Sequence, residues 1–313
     1  MIDTKQCTRE NPAQFDISTN IFTAKDPAHI YGSTFVEEID VSCLAKSINS
    51  INLSQCYDNV LGAPIKVVNV GIPYTEQSST VRNGYVSGTK FSLIGSSDNN
   101  DAFENLNTLN ITGQSNINGG LSSIISNRKN IVNLYAMGTN ITSFANSIYG
   151  NKFIDLELPS VTITKENNQT VSTNYMNTIE LRDASWRNLS FWSTVQHETN
   201  EATFTKTTIP SQLQTLKYTG STASNACAGK LLLEWLDSIE AEVASANPQY
   251  TEQDVYNAIS SKTFEAANIN WGAEESVEDR VDISYRDLAR IAKFNNGFNQ
   301  NGTLSGYIRI SDQ

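Results

Sequence analysis

Residues able to do chemistry are few in this chain of 313 residues. It has two histidines, His29 in a polar lead-in and His197 in a polar stretch beyond the middle of the chain. A Ser-His-Asp triad would have to use one of them, and neither lies near a GxSxG elbow. A metal centre built on imidazoles has too few ligands to draw on. The four cysteines, Cys7, Cys43, Cys56 and Cys227, form no CxxC pair. They read as isolated thiols that pack like small hydrophobes, with a Cys43–Cys56 bridge as the alternative. Paired carboxylates occur, such as Asp155 and Glu157. They stand two apart in a strand-like run, so the period of two turns both to the same outward face. Glycosidases set two acids side by side, but acids on an exposed strand ordinarily serve as plain surface, and that is the expectation here. Gly119-Gly120 stands without a GxGxxG or GxxxxGK[ST] pattern, so no phosphate cradle is indicated. The chain therefore reads as a non-enzyme, with no catalytic set, no metal and no cofactor.

Binding is the remaining chemistry. Asp and Glu outnumber Lys and Arg by 33 to 22, for a net charge of −11. That balance argues against binding a phosphate backbone, which needs clustered cations. Large aromatic side chains are the usual anchors of protein interfaces. Trp186 falls where a core residue is expected, whereas Phe191 and Trp192 fall where no repeat position explains them. Those two are the contact candidates. Tyr307 joins them, because residues 304–310 form an apolar strand with an edge open to pairing. The first ten residues lack the apolar run of a signal peptide, so nothing there directs export. No stretch approaches the roughly 20 apolar residues of a membrane span.

The elements that must hold these residues repeat. Leu106-Asn-Thr-Leu109-Asn-Ile111 is followed by Ile131-Val-Asn-Leu134-Tyr-Ala136 and Phe153-Ile-Asp-Leu156-Glu-Leu158. Met176-Asn-Thr-Ile179-Glu-Leu181 and Leu213-Gln-Thr-Leu216-Lys-Tyr218 complete the series. The starts lie 25, 22, 23 and 37 residues apart, and the first three gaps fall in the range of roughly 20–29 of leucine-rich repeats. Alternate side chains of a strand share a face, so Leu109, Leu134, Leu156, Ile179 and Leu216 are expected to line one core. One such unit cannot bury its own apolar edge, but stacked units share a core.

Around this series the chain divides four ways. Residues 1–35 are polar, broken by Pro12 and Pro27, and read as an extended arm. Residues 36–102 read as a small β-rich unit capping the stack, including a short helix on Leu44, Ile48 and Ile51. Residues 103–223 carry the repeats. Residues 224–313 are rich in helix: Leu232, Trp235, Leu236, Ile239 and Val243 mark a first helix with an acidic stripe of Glu234, Asp237, Glu240 and Glu242. Thr251-Glu-Gln-Asp254 and Ser284-Tyr-Arg-Asp287 are capping boxes for two more, each followed by a strand that continues the coil. The expected fold is α/β: a leucine-rich-repeat-like solenoid with an N-terminal β-rich unit and C-terminal helix–strand units.

Residues 103–220 thus resemble the leucine-rich-repeat superfamily, with Gln114 and Val161 where the asparagine ladder would be. The segments Phe264-Glu-Ala-Ala-Asn-Ile-Asn-Trp271 and Leu304-Ser-Gly-Tyr-Ile-Arg-Ile310 resemble virion structural proteins of crAss-like bacteriophages, in particular the muzzle component at the tail end. The resemblance implies a protein–protein scaffold in a phage tail, contacting other tail proteins and copies of itself, located in the virion after assembly in the host cytoplasm. A bacterial leucine-rich-repeat surface adhesin or binding module is the alternative, and it should carry an export signal.

Overall fold

In the computed structural model the described residues are 14–16, 21–23, 37–42, 48–53, 65–71, 81–97, 100–126, 128–144, 150–182, 184–198, 201–219, 226–267, 281–295 and 308–311. Strands dominate them and helices are few, giving an α/β fold with curled sheets.

The central feature is a parallel ladder. The short strands Glu38–Asp40, Val67–Asn69, Thr108–Asn110 and Asn133–Tyr135 lie in register, then meet the long strands Lys152–Glu166 and Ser185–Gln196. One column of the ladder points inward: Ile39, Val68, Leu109, Leu134, Leu156 and Leu189. The first five are buried, and Leu189 packs against the same core. The residues on either side of that column point outward and are mostly polar. Asn133 Nδ2 donates to Thr108 Oγ1 at 3.0 Å, and Asn188 Nδ2 to Asp155 Oδ1 at 2.8 Å. Each inward residue meets its equivalent one strand away, so a shift of one residue would turn the whole aliphatic column to water.

Between visits to this ladder the chain enters other sheets. Ser50–Asn52, Ser87–Ile94 and Gln114–Ile117 pair in parallel, and so do Ser143–Phe144, Thr178–Arg182, Thr215–Thr219 and Thr263–Ala267. Phe91, Phe144, Ile179, Leu216 and Phe264 from these sheets join the aliphatic column in a single buried cluster.

The five sequence matches therefore do not share one sheet. Those around Leu109, Leu134 and Leu156 stand in the ladder, whereas Ile179 and Leu216 pair with each other in a second sheet. Both kinds of strand bury alternate residues against the same core, so the apolar spacing is identical and cannot tell them apart. The gap of 37 runs from Thr178 to its register partner Thr215 and contains the ladder strand Ser185–Gln196 and the returning strand Glu201–Thr207. Leu189, which the repeat pattern did not mark, follows Leu156 in the ladder.

Three further expectations change. Residues 36–102 are no separate cap, because Glu38–Asp40 and Val67–Asn69 extend the same ladder. Ser50–Asn52 is a strand where a helix was expected on Ile48 and Ile51, whose β-branched side chains suit a pleated surface. The lead-in contributes Gln14–Asp16 and Ile21–Thr23, the latter paired with Ser50–Asn52, so it is not simply an arm.

The C-terminal helices follow their sequence signals. Ala226–Ala246 buries Leu232, Trp235, Leu236 and Ile239. Glu252–Ser260 and Tyr285–Ile291 begin at the expected capping boxes, Thr251 with Asp254 and Ser284 with Asp287. Thr263–Ala267 continues the second sheet, but Ile308–Ser311 pairs with Val281–Ser284 in a sheet of its own.

Beyond the ladder the two long strands keep going. Lys152–Glu166 turns back through Asn167 and Asn168, both at positive φ, into the antiparallel strand Gln169–Tyr175. Ser185–Gln196 returns as Glu201–Thr207, which pairs with Val81–Tyr85. This mixed sheet curls over a second, smaller apolar cluster of Val86, Met137, Trp192, Ala202 and Phe204. Gly138, at φ +69°, lies directly beneath the Phe204 ring.

Candidate functional site

The curl is where polar chemistry concentrates. Glu157 is the last outward residue of its ladder row, opposite Tyr135 on one side and Ser190 on the other. A register shift follows between Pro159 and Val161, after which the sheet bends away. The bend brings in Lys206, the register partner of Trp192, and Arg82, the partner of Phe204. Glu157 is only 7% exposed, so the expectation that it is plain surface does not hold. Its neighbour Asp155 is half-buried, with Asn188 and the Tyr135 hydroxyl (3.4 Å) on its carboxylate.

Burial pushes the Glu157 carboxyl up from 4.5 to about 7. The positive charges of Arg82 and Lys206 oppose that rise, and Asp155 adds to it slightly. A carboxyl with this pKa takes up and releases a proton near neutrality. Glu157 Oε2, Trp192 Nε1 and Thr194 Oγ1 are all buried without a hydrogen-bond partner among the described residues. Arg82 is itself buried and sends Nη1 to Met137 Sδ at 3.6 Å. The arrangement is a buried, proton-exchanging carboxyl facing two cations.

Neither aromatic contact candidate is available to a partner. Phe191 is 1% exposed in the main core, and Trp192 is 3% exposed in the small cluster under the curl. Both were read as leftovers because the sequence does not show that their strand runs on past the ladder. They lie where that strand pairs with Glu201–Thr207, and their side chains are packed in the two apolar clusters. Tyr307 lies outside the described residues. His197 takes a turn position, its backbone N–H donating to Glu201 O at 2.8 Å. Among the described residues no His, Cys, Asp and Glu side chains cluster as a metal site.

The acidic stripe of the first C-terminal helix is used within the chain. Glu234 accepts from Ile209 N–H at 3.1 Å, and Glu242 accepts from Gln212. Glu240 and Glu252 clasp Arg290, which is 1% exposed, with Nη1 to Glu240 Oε2 at 2.9 Å and Nε to Glu252 Oε1 at 2.6 Å. Arg286 and the Tyr250 hydroxyl complete the clasp on Glu240. The hydrogen bond from Arg290 is the main reason the Glu240 carboxyl is held down at about 2, against the opposing effect of its own burial. This network locks three helices together, while Glu234, Asp237 and Glu242 remain exposed on the first of them.

Comparison of the chain with protein-family models, curated proteins and solved structures finds no match in any of them. No helix among the described residues is long and apolar enough to cross a membrane.

Proposed function

We propose that this chain is a structural component of a phage virion tail assembly, muzzle-like, and that it acts as a protein–protein scaffold with no enzymatic activity of its own. The frame of that scaffold is a leucine-rich-repeat-like solenoid. The observation that carries the reading is the in-register inward column from Ile39 to Leu189, six parallel strands deep. A column of this kind stiffens by stacking, each strand satisfying the backbone of the next, and it presents side-chain rows at fixed spacing. A scaffold needs that stiffness and no active site. The clasp on Arg290 adds to it by tying the helices into one block. The partners are other tail proteins and further copies of this chain.

Mass spectrometry of purified virions tests the proposal. The chain should be found there in stoichiometric, repeated copies. Its absence from virions, with recovery instead from a bacterial surface fraction, would replace the tail reading with the adhesin.

A further inference from the structure

We infer that the strand Gln169–Tyr175 is a docking edge for the same strand of a second copy, paired antiparallel about Thr173. The inference deepens the scaffold reading, because it names where copies of the chain meet. This strand pairs only with Lys152–Glu166 among the described residues, and all seven of its residues are exposed. One row of backbone donors and acceptors therefore faces water along its whole length. Edge strands usually carry charge, proline or a very short length that discourages pairing. The ladder's outer edge, Glu38–Asp40, is short and carries two acids. Gln169–Tyr175 is longer, contains neither Lys, Arg, Asp, Glu nor Pro, and is built from Thr, Val, Ser and Tyr, which suit strands.

Charge and register select the occupant. Two copies of a chain carrying −11 repel each other over most of their surface, but this strip is uncharged, and Lys165 and Glu166 beside it offset each other. The strand is also complementary to itself. A two-fold axis through Thr173 sets Ser172 opposite Asn174 and Val171 opposite Tyr175, each twice. Val171 and Tyr175 are two of the few large apolar side chains exposed in the described residues, at 52% and 41%. Facing aromatic and β-branched residues are among the better cross-strand pairs. The register shift between Thr164 and Lys165 skips Val171, which stands opposite no residue of its own partner strand; this bulge is the one protective irregularity on the edge.

A seven-residue strand pair is well below the 1,200–2,000 Å² or so of a standard interface, so the contact is weak alone and gains strength in a many-copy assembly. The test is therefore thiol cross-linking of the full chain rather than detection of a stable dimer. Thr173→Cys should give a linked dimer at least tenfold above the background of the four native cysteines. Gln169→Cys should stay at background, because its copies would be about 26 Å apart across the axis. Adding Val171→Lys to Thr173→Cys should return the yield to background. Equal linking from both cysteine variants, or none above background from Thr173→Cys, overturns the proposal. The two readings fail separately: a missing cross-link leaves detection in virions untouched, and absence from virions leaves the cross-link standing.

Discussion

Replacing Glu157 by Gln isolates the energy stored in the curl. In the folded chain this carboxyl titrates at about 7, against 4.5 for its ordinary value. One pKa unit corresponds to about 1.36 kcal/mol, so the rise amounts to roughly 3 kcal/mol, with the attraction of Arg82 and Lys206 already included. The sign follows from proton binding. Between pH 4.5 and about 7 the folded state holds the proton and the unfolded state releases it. Stability is therefore fully present below pH 4.5, falls as the pH rises through this window, and levels off above about 7. Glutamine keeps the size and polarity of the side chain but cannot ionise. The variant should match the parent near pH 4 and exceed it by up to roughly 3 kcal/mol at pH 8. Urea unfolding of both proteins at pH 4, 6 and 8 reads the difference directly, since every other titrating group cancels between them. A difference that does not change with pH, or a variant less stable than the parent at pH 8, would refute the reasoning.

Other substitutions probe the frame. Leu156→Ala removes a side chain that is 1% exposed in the inward column, and denaturant unfolding should show a loss of about 2–5 kcal/mol. Arg290→Met removes the buried member of the two cations shared by Glu240 and Glu252, leaving Arg286 in place, and should cost about 1.5–3 kcal/mol at pH 7. That loss should shrink as the pH falls toward 2, where Glu240 takes up its proton, and unfolding at pH 7 and pH 2.5 compares the two. Gly138→Ala forces a side chain into positive φ and onto the Phe204 ring, so its melting temperature should fall by several degrees, whereas Gly120→Ala meets only the backbone strain and should fall less.

What the sequence makes legible here is local. Capping boxes are read from four consecutive residues, and both Thr251 with Asp254 and Ser284 with Asp287 form as expected. The helix around Trp235 follows from its own apolar spacing. Burial of Leu109, Leu134 and Leu156 follows from a period of two. What stays hidden depends on partners distant in the chain. The spacing around Ile179 equals that around Leu156, yet the two strands belong to different sheets, because pairing is decided by the path between them. Phe191 and Trp192 lie where their strand pairs with Glu201–Thr207, whose arrival depends on a turn that no apolar period marks. Glu157 is missed as a chemical group for the same reason, since Arg82 and Lys206 reach it only once that turn has formed.

The position of Glu157 is a consequence of strand length. Its ladder neighbours Thr108–Asn110 and Asn133–Tyr135 have three residues each, whereas Lys152–Glu166 has 15 and Ser185–Gln196 has 12. Past Glu157 the two long strands leave Asn133–Tyr135 behind and take antiparallel neighbours instead, Gln169–Tyr175 on one side and Glu201–Thr207 on the other, so the twist of the sheet changes there. The register shift between Pro159 and Val161 lies at that point. Proline donates no backbone hydrogen bond, so the ladder tolerates it best at such an irregularity. The bend then turns the outward face of the ladder into the inward face of the curl. A glutamate that begins its row as surface ends it under Lys206 and Arg82, beside apolar side chains that hold water away. Straightening the bend would return Glu157 to solvent and its pKa toward 4.5. The raised pKa and the curl are thus one structural fact, and carbon-13 titration of this single carboxyl reports whether the curl is closed.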